Sequence, residues 1–235
     1  MDWRLGRKAV LGACLLLMFC FIYEAGLSFA WMEELPYGTD YTRSPLDASI
    51  YTFNSRSLRA GLKEMHSDRY MIDNYLTIND ANLFKYEFYA LNPDVTLCYS
   101  PRFIDVGYEG SDCCTGYNVK YISEESGQQK YNTLLSVTEP KISSLKNRSN
   151  KVKIRETGRW IKKRYSYTDT LNNMWDMTLY GCLVKGSATC LGYSQGFLYM
   201  MNRLHVPCRI VCSKYHAWNV VYDGEKWIKV DLTKG

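Results

Sequence analysis

Gly186-Ser-Ala-Thr-Cys190-Leu-Gly-Tyr193 decides how this chain is read, together with Tyr215-His216-Ala-Trp-Asn219 and Lys229-Val-Asp231-Leu-Thr233 downstream. In that order the three stretches offer a thiol, an imidazole and a carboxylate, the groups needed to make and orient a sulfur nucleophile. Gly186 to Thr189 reads as a turn. From Cys190 onward, apolar residues at Leu191, Phe197, Leu198, Met201 and Leu204 recur at helical spacing, which predicts that Cys190 opens a helix. A helix start leaves N–H groups unpaired and carries the positive end of the dipole, so it favours thiolate over thiol. The Cys190 backbone N–H would also point where an oxyanion could form.

His216 to Tyr222 and Glu225 to Leu232 are two strand-like runs around Asp223-Gly224, a strong hairpin signal. A two-residue turn pairs Tyr222 with Glu225 and, carried down the ladder, sets His216 directly opposite Asp231, with Cβ atoms about 5 Å apart. The carboxylate can then hold one imidazole nitrogen and leave the other for sulfur. A slip of one residue would put the two groups on opposite faces.

From about Leu171 to Thr233 the sequence contains Leu183-Val-Lys-Gly-Ser-Ala-Thr-Cys190-Leu-Gly-Tyr-Ser, Val206-Pro207-Cys-Arg-Ile-Val, His216-Ala-Trp-Asn and Trp227-Ile-Lys-Val-Asp231-Leu-Thr. These motifs resemble the transglutaminase-like superfamily. The resemblance implies an α+β, papain-like fold with a Cys-His-Asp triad. Cys190 would be the nucleophile at a helix N-terminus. His216 would be general base and acid and Asp231 the orienting carboxylate, the two on adjacent antiparallel strands. A weaker likeness to bacterial exported members reaches back to about Leu58, at Phe88-Tyr-Ala-Leu-Asn-Pro93-Asp94. The implied activity is acyl transfer through a thioester. Water as acceptor makes a peptidase or amidase; a lysine amine makes a transglutaminase, and these motifs do not separate the two. A protein or peptide is the expected substrate, with cell-wall association open.

The remaining chain divides into four stretches. Residues 1–30 read as a signal peptide or membrane anchor: Arg4, Arg7 and Lys8 precede the apolar run Ala9 to Tyr23, and Ser28-Phe29-Ala30 is a small-x-small cleavage site. The run falls short of the ~20 residues of a spanning helix. Cleaved or retained, the basic flank sends the rest outward, so the domain is expected to be secreted or held on the extracellular face of the membrane. Residues 31–57, with Pro36, Gly38 and Pro45, read as an extended tether. Residues 58–139 form an amino-terminal α/β portion and 140–235 the catalytic domain.

Within the amino-terminal portion, Arg69 to Leu76 alternates like a strand. Thr77-Ile-Asn-Asp80 is a capping box for a helix through Leu83, Tyr86 and Ala90 that must stop near Pro93. Strands are expected over Val95 to Tyr99 and Tyr117 to Ile122, and loops over Gly107 to Gly116 and Glu124 to Gln129. Pro140 to Tyr165 reads as helical, basic and solvated, which disfavours a nucleic-acid groove. The net charge of +5 falls to about +4 without the leader and attracts anionic surfaces only weakly.

Of nine cysteines, Cys98, Cys113, Cys114, Cys182, Cys208 and Cys212 lie outside the leader and the proposed site. They allow disulfides or, if reduced, small buried apolar side chains. Cys208 and Cys212 on one strand would be roughly 13 Å apart, too far to bridge each other. A zinc site lacks a C-x-x-C pair, and no acidic loop suggests calcium, so no cofactor and no metal are expected. Trp175 and Tyr180 precede Cys190 as further oxyanion donors or as packing residues. Two other classes of function remain on this fold: a catalytically inactive cell-surface binding or assembly module, and a redox sensor in which Cys190 forms a disulfide.

Overall fold

The computed structural model describes residues 32–34, 48–63, 68–99, 104–109, 113–119, 127–170, 173, 175–213 and 215–234. The reading of residues 1–30 as a signal peptide or membrane anchor lies outside these residues. Among the described residues no helix is long and apolar enough to cross a membrane.

The elements in chain order are β1 (Met32–Glu34), α1 (Ala48–Leu62), β2 (Asp68–Thr77), α2 (Ile78–Leu91), α3 (Pro93–Thr96), β3 (Ile104–Glu109), β4 (Cys113–Val119), α4 (Gly127–Leu145), α5 (Asn150–Arg164), β5 (Ser166–Tyr167), β6 (Ser187–Ala188), α6 (Cys190–Arg203), β7 (Cys208–Cys212), β8 (Ala217–Tyr222) and β9 (Trp227–Val230), with a π-helical turn Gly181–Lys185 before β6. The class is α+β. A four-stranded antiparallel sheet runs β1-β9-β8-β7, a three-stranded antiparallel one β2-β4-β3, and β5 pairs with β6 in parallel.

α6 is the centre of the molecule. Every residue from Leu191 to Met201 is buried, so this helix has no solvent face. The four-stranded sheet covers it through β7 and β8, and α2, α4 and α5 surround the rest. The amino-terminal portion is docked by a buried carboxylate: Glu87 of α2 accepts from Ile210 N at 3.1 Å and lies 3.1 Å from the Arg209 guanidinium. Burial pushes the Glu87 carboxyl up, against the opposing pull of Arg209 and the Ile210 N–H. Phe84 stacks on Phe88 and on Tyr117 of β4, and the Tyr117 hydroxyl donates to Ala81 O at 2.8 Å, which fastens the three-stranded sheet to α2.

Several local expectations change. The stretch expected as a tether contains an edge strand, β1, paired with β9 through Met32↔Val230 and Glu34↔Ile228, and most of it that is described belongs to α1. Val95 to Tyr99 is not a strand. Pro93 opens the short helix α3, with Val95 and Thr96 N–H groups on Asn92 O, while the Arg59 guanidinium holds Asp94. A short apolar run is buried equally well in either conformation, and the proline at a helix start decided this one.

The expected loop Gly107 to Gly116 is largely hairpin, with Gly107 opposite Gly116 and a bulge beside them. Glycine in a strand marks such a bulge as readily as a loop. α4 begins at Gly127, inside an expected loop, and runs through Pro140, so that residue does not start a helix.

The expected cap is present: Thr77 caps α2, its Oγ1 accepting from Asp80 N at 3.2 Å and its hydroxyl donating to Asp80 Oδ2 at 2.8 Å. The basic stripe is only partly solvated. Lys153 is buried and donates to Leu204 O at 3.0 Å, Lys151 pairs with Glu225 at 2.7 Å, and Lys162 donates to Leu232 O at 3.2 Å and to Lys234 O.

Candidate active site

Cys190 is the first residue of α6 and Thr189 its N-cap. Gly186, at φ 89°, takes the left-handed turn that ends the π-helical segment and starts β6. β5 then pins β6 by Ser166↔Ser187 and Tyr167↔Ala188, which fixes the chain just ahead of Cys190. Thr189 does not cap with its hydroxyl. Its N–H and its Oγ1 both donate to Asp176 O, at 2.8 and 3.2 Å. The first N–H groups of α6 are thereby left without a side-chain cap from Thr189, and an anion at the helix start can use them.

Gly192 lets this turn seat. A Cβ there would lie 2.6 Å from Asp176 O and 2.7 Å from Ala188 Cβ.

His216 sits just before β8 and Asp231 just after β9. The expected two-residue turn is a four-residue one, and the ladder pairs Tyr222 with Trp227 and Asn219 with Val230. Asp223 builds the loop: its Oδ1 accepts from Glu225 N at 2.8 Å and Lys226 N at 2.9 Å, and its own N–H donates to Lys226 O. His216 is therefore not directly opposite Asp231. The register moves by two positions, which preserves the face, and the two side chains meet diagonally beyond the ladder ends.

His216 Nε2 donates to Asp231 Oδ2 at 2.9 Å. That contact leaves Nδ1 as the ring nitrogen for a thiol. The His216 backbone is clamped by Ser213, whose N–H donates to His216 O at 2.8 Å and whose Oγ accepts from His216 N at 3.1 Å. Trp218 stacks on the imidazole with centroids 5.9 Å apart, under the Lys229 ammonium.

Thr233 was not among the residues the motifs singled out for a role, yet it holds the other carboxylate oxygen. Asp231 Oδ1 accepts from Thr233 Oγ1 at 2.7 Å and from Thr233 N at 3.3 Å. Its signal was in the sequence as Asp-x-Thr, the spacing at which a side chain bonds its own backbone two residues on. Burial raises the Asp231 carboxyl, but hydrogen bonds from Thr233 and His216 and the His216 charge outweigh it, and the pKa falls below the usual carboxylate range.

A group depressed in this way contributes stability above its unfolded value and loses it as pH falls through its folded one. Thr233→Val is accordingly expected to cost about 1.5–3 kcal/mol near pH 7. The difference should shrink at pH 3, where urea midpoints of both proteins would show it.

The same end of the sheet carries the helix start. Asn219 Nδ2 donates to Ser194 O at 3.0 Å, one turn after Cys190, and Ser194 Oγ donates to Cys190 O at 2.9 Å. At the far end, Tyr222 N donates to Pro207 O, just past the C-terminus of α6. α6 thus runs along β8 with Cys190 toward the Ala217 end. Cys212, paired with Ala217, ends β7 there too.

Cys182, Cys190, Cys208 and Cys212 are free thiols. Burial pushes the Cys182 and Cys208 thiols up, and desolvation, with the nearby Cys190 and Glu87, pushes Cys212 up to about 12. Trp175 and Tyr180 pack on each other, centroids 5.4 Å apart, and Tyr180 is buried. No group of metal-ligating side chains occurs among the described residues.

Residues 138–232 match the family profile described as the Transglutaminase-like superfamily. A comparison with curated proteins gave no match. Among solved structures, the chain is similar to one described as "Crystal structure of a TGase", at 16% identity over 55% of this chain and 43% of that one, with a TM-score of 0.40. It is also similar to one described as "Crystal structure of menin reveals the binding site for Mixed Lineage Leukemia (MLL) protein", at 9% identity over 77% and 35%, with a TM-score of 0.38. The chain spans less than half the length of either.

Proposed function

We propose that this chain, which carries a domain of the transglutaminase-like superfamily over residues 138–232, is an exported enzyme that transfers acyl groups from protein or peptide amides through a thioester on Cys190. The fold is one of cysteine-dependent acyl transfer. The single observation that carries the assignment to these residues is the 2.9 Å His216–Asp231 hydrogen bond at the end of the sheet where α6 begins with Cys190.

In this reading His216 Nδ1 takes the Cys190 proton while Asp231 holds Nε2–H. The thiolate adds to the amide carbonyl carbon. The oxygen takes the electron pair, beside N–H groups of the first turn of α6 that the diverted Thr189 hydroxyl leaves uncapped. Collapse breaks the C–N bond, and His216 gives its proton to the departing amine. Water or an amine, deprotonated by His216, then attacks the thioester and restores the thiol. Asp231 stays ionised throughout, held in that state by Thr233.

The test is a limiting thiol alkylator at mildly acidic pH on the reduced protein, read by intact mass and peptide mapping, beside His216→Ala. One fast adduct at Cys190 that slows at least tenfold in the variant is expected. Cys182 and Cys208, which are buried and whose thiols are pushed up, should stay unmodified, and the exposed Cys212, whose thiol is also pushed up, should react more slowly than Cys190. A Cys190 no faster than these, or indifferent to His216, would leave an inactive surface module as the better account.

A further inference from the structure

Tyr167 is placed beside the nucleophile by main-chain pairing and not by chance of packing. It lies opposite Ala188 in the parallel β5–β6 ladder, two residues before Cys190. Ser166 N and Thr168 N donate to Gly186 O and Ala188 O on either side of it, both at 3.0 Å, so its backbone position is fixed from two directions. Its ring leans on Tyr193 in the first turn of α6, centroids 6.2 Å apart. Tyr193 is in turn anchored by its hydroxyl on Tyr165 O at 2.7 Å. The support beneath Tyr167 is therefore rigid.

Its outer side is not covered. Among the described residues, the large apolar side chains that are exposed are Tyr167, at 47%, and Tyr215, at 82%. Tyr215 adjoins His216 in sequence, so both exposures border the candidate site. Partial burial first, and then the charges of Cys190, Asp169 and Asp231, push the Tyr167 phenol up. A phenol ring held on a rigid base, half open to solvent and next to the reacting atoms, offers a flat apolar face to a ligand at small entropic cost.

We infer that Tyr167 is a specificity-determining residue for the acyl donor, its ring packing against the polypeptide segment whose carbonyl reaches Cys190. This rests on the acyl-transfer reading above. Tyr167 takes no part in bond making: truncating it should weaken donor binding and leave the reactivity of the Cys190–His216 pair unchanged.

The experiment compares two electrophiles on the full chain, acetyl-trialanyl chloromethyl ketone, which must bind as a peptide, and iodoacetamide, which need not. In Tyr167→Ala, KI for the peptidyl reagent is expected to rise about 10- to 30-fold with kinact unchanged, and the iodoacetamide rate at Cys190 to stay within about twofold. Tyr167→Phe, which keeps the ring, should retain KI within about threefold. A Tyr167→Ala variant that leaves KI unchanged overturns the inference. So does one in which both reagents slow together, since that is a scaffold role. A Phe variant as weak as the Ala variant overturns recognition by the ring. If iodoacetamide finds no fast thiol at Cys190 in the parent protein, the functional reading fails, and the role of Tyr167 fails with it.

Discussion

Cys190→Ala is expected to lower acyl transfer by about 10⁴-fold or more. The prediction is sharp because the sulfur has no substitute. The neighbouring Cys212 ends a strand instead of opening a helix, and its thiol is pushed up, which disfavours it as a replacement nucleophile at neutral pH. Removing one sulfur from a side chain that is only partly buried, at the first residue of a helix, should leave the fold intact. The measurement is incorporation of a fluorescent primary amine into a protein mixture, run beside release of ammonia or peptide from the same mixture. Both signals must vanish in Cys190→Ala with an unchanged circular dichroism spectrum. A surviving signal in either assay would mean that the chemistry lies elsewhere.

Gly192→Ala should be damaging although it adds only one methyl. Helix propensity alone favours alanine over glycine by about 1 kcal/mol. Here the added carbon would meet Asp176 O at 2.6 Å and Ala188 Cβ at 2.7 Å, and neither is the free end of a flexible side chain. α6 must back away or the Asp176 turn must open. Overpacking of this kind costs about 1–3 kcal/mol, occasionally more, and outweighs the propensity gain.

The functional loss is expected to exceed the stability loss. Asp176 O also receives the Thr189 N–H and hydroxyl, so the displaced contact is the one that positions Cys190. A shift near 1 Å at a nucleophile can cost about 100-fold. Alkylation of Cys190 and thermal denaturation of the same variant check both halves. A variant that is more stable and equally reactive would mean that α6 is seated less tightly than its contacts require.

These two residues mark the division between local and distant information. The thiol at a helix start was legible because a turn followed by helical spacing is a matter of a few neighbouring residues. The face shared by His216 and Asp231 was legible too, because side chains alternate with a period of two and the real register differs from the expected one by two. The loop length was not, since it turned on Asp223 gathering two N–H groups into a four-residue turn.

Elsewhere the sequence was ambiguous for a definite reason. Val95 to Tyr99 is mostly apolar and, from Thr96 on, buried as helix and turn, as it would have been in a strand, and periodicity cannot separate the two over five residues.

By itself, then, the sequence determined the order of thiol, imidazole and carboxylate, the helix that begins at Cys190 and the capped helix after Thr77, because each depends on contacts within about one turn or one hairpin. Only the tertiary structure decided that α6 is buried on every side, that Thr189 gives its hydroxyl to Asp176 and leaves the helix start uncapped, that Glu87 is carried across 123 positions to Ile210, and that Tyr167 stands beside Cys190. Those facts depend on which distant surfaces exclude water from each other, and burial between segments far apart in the chain leaves no local period to read.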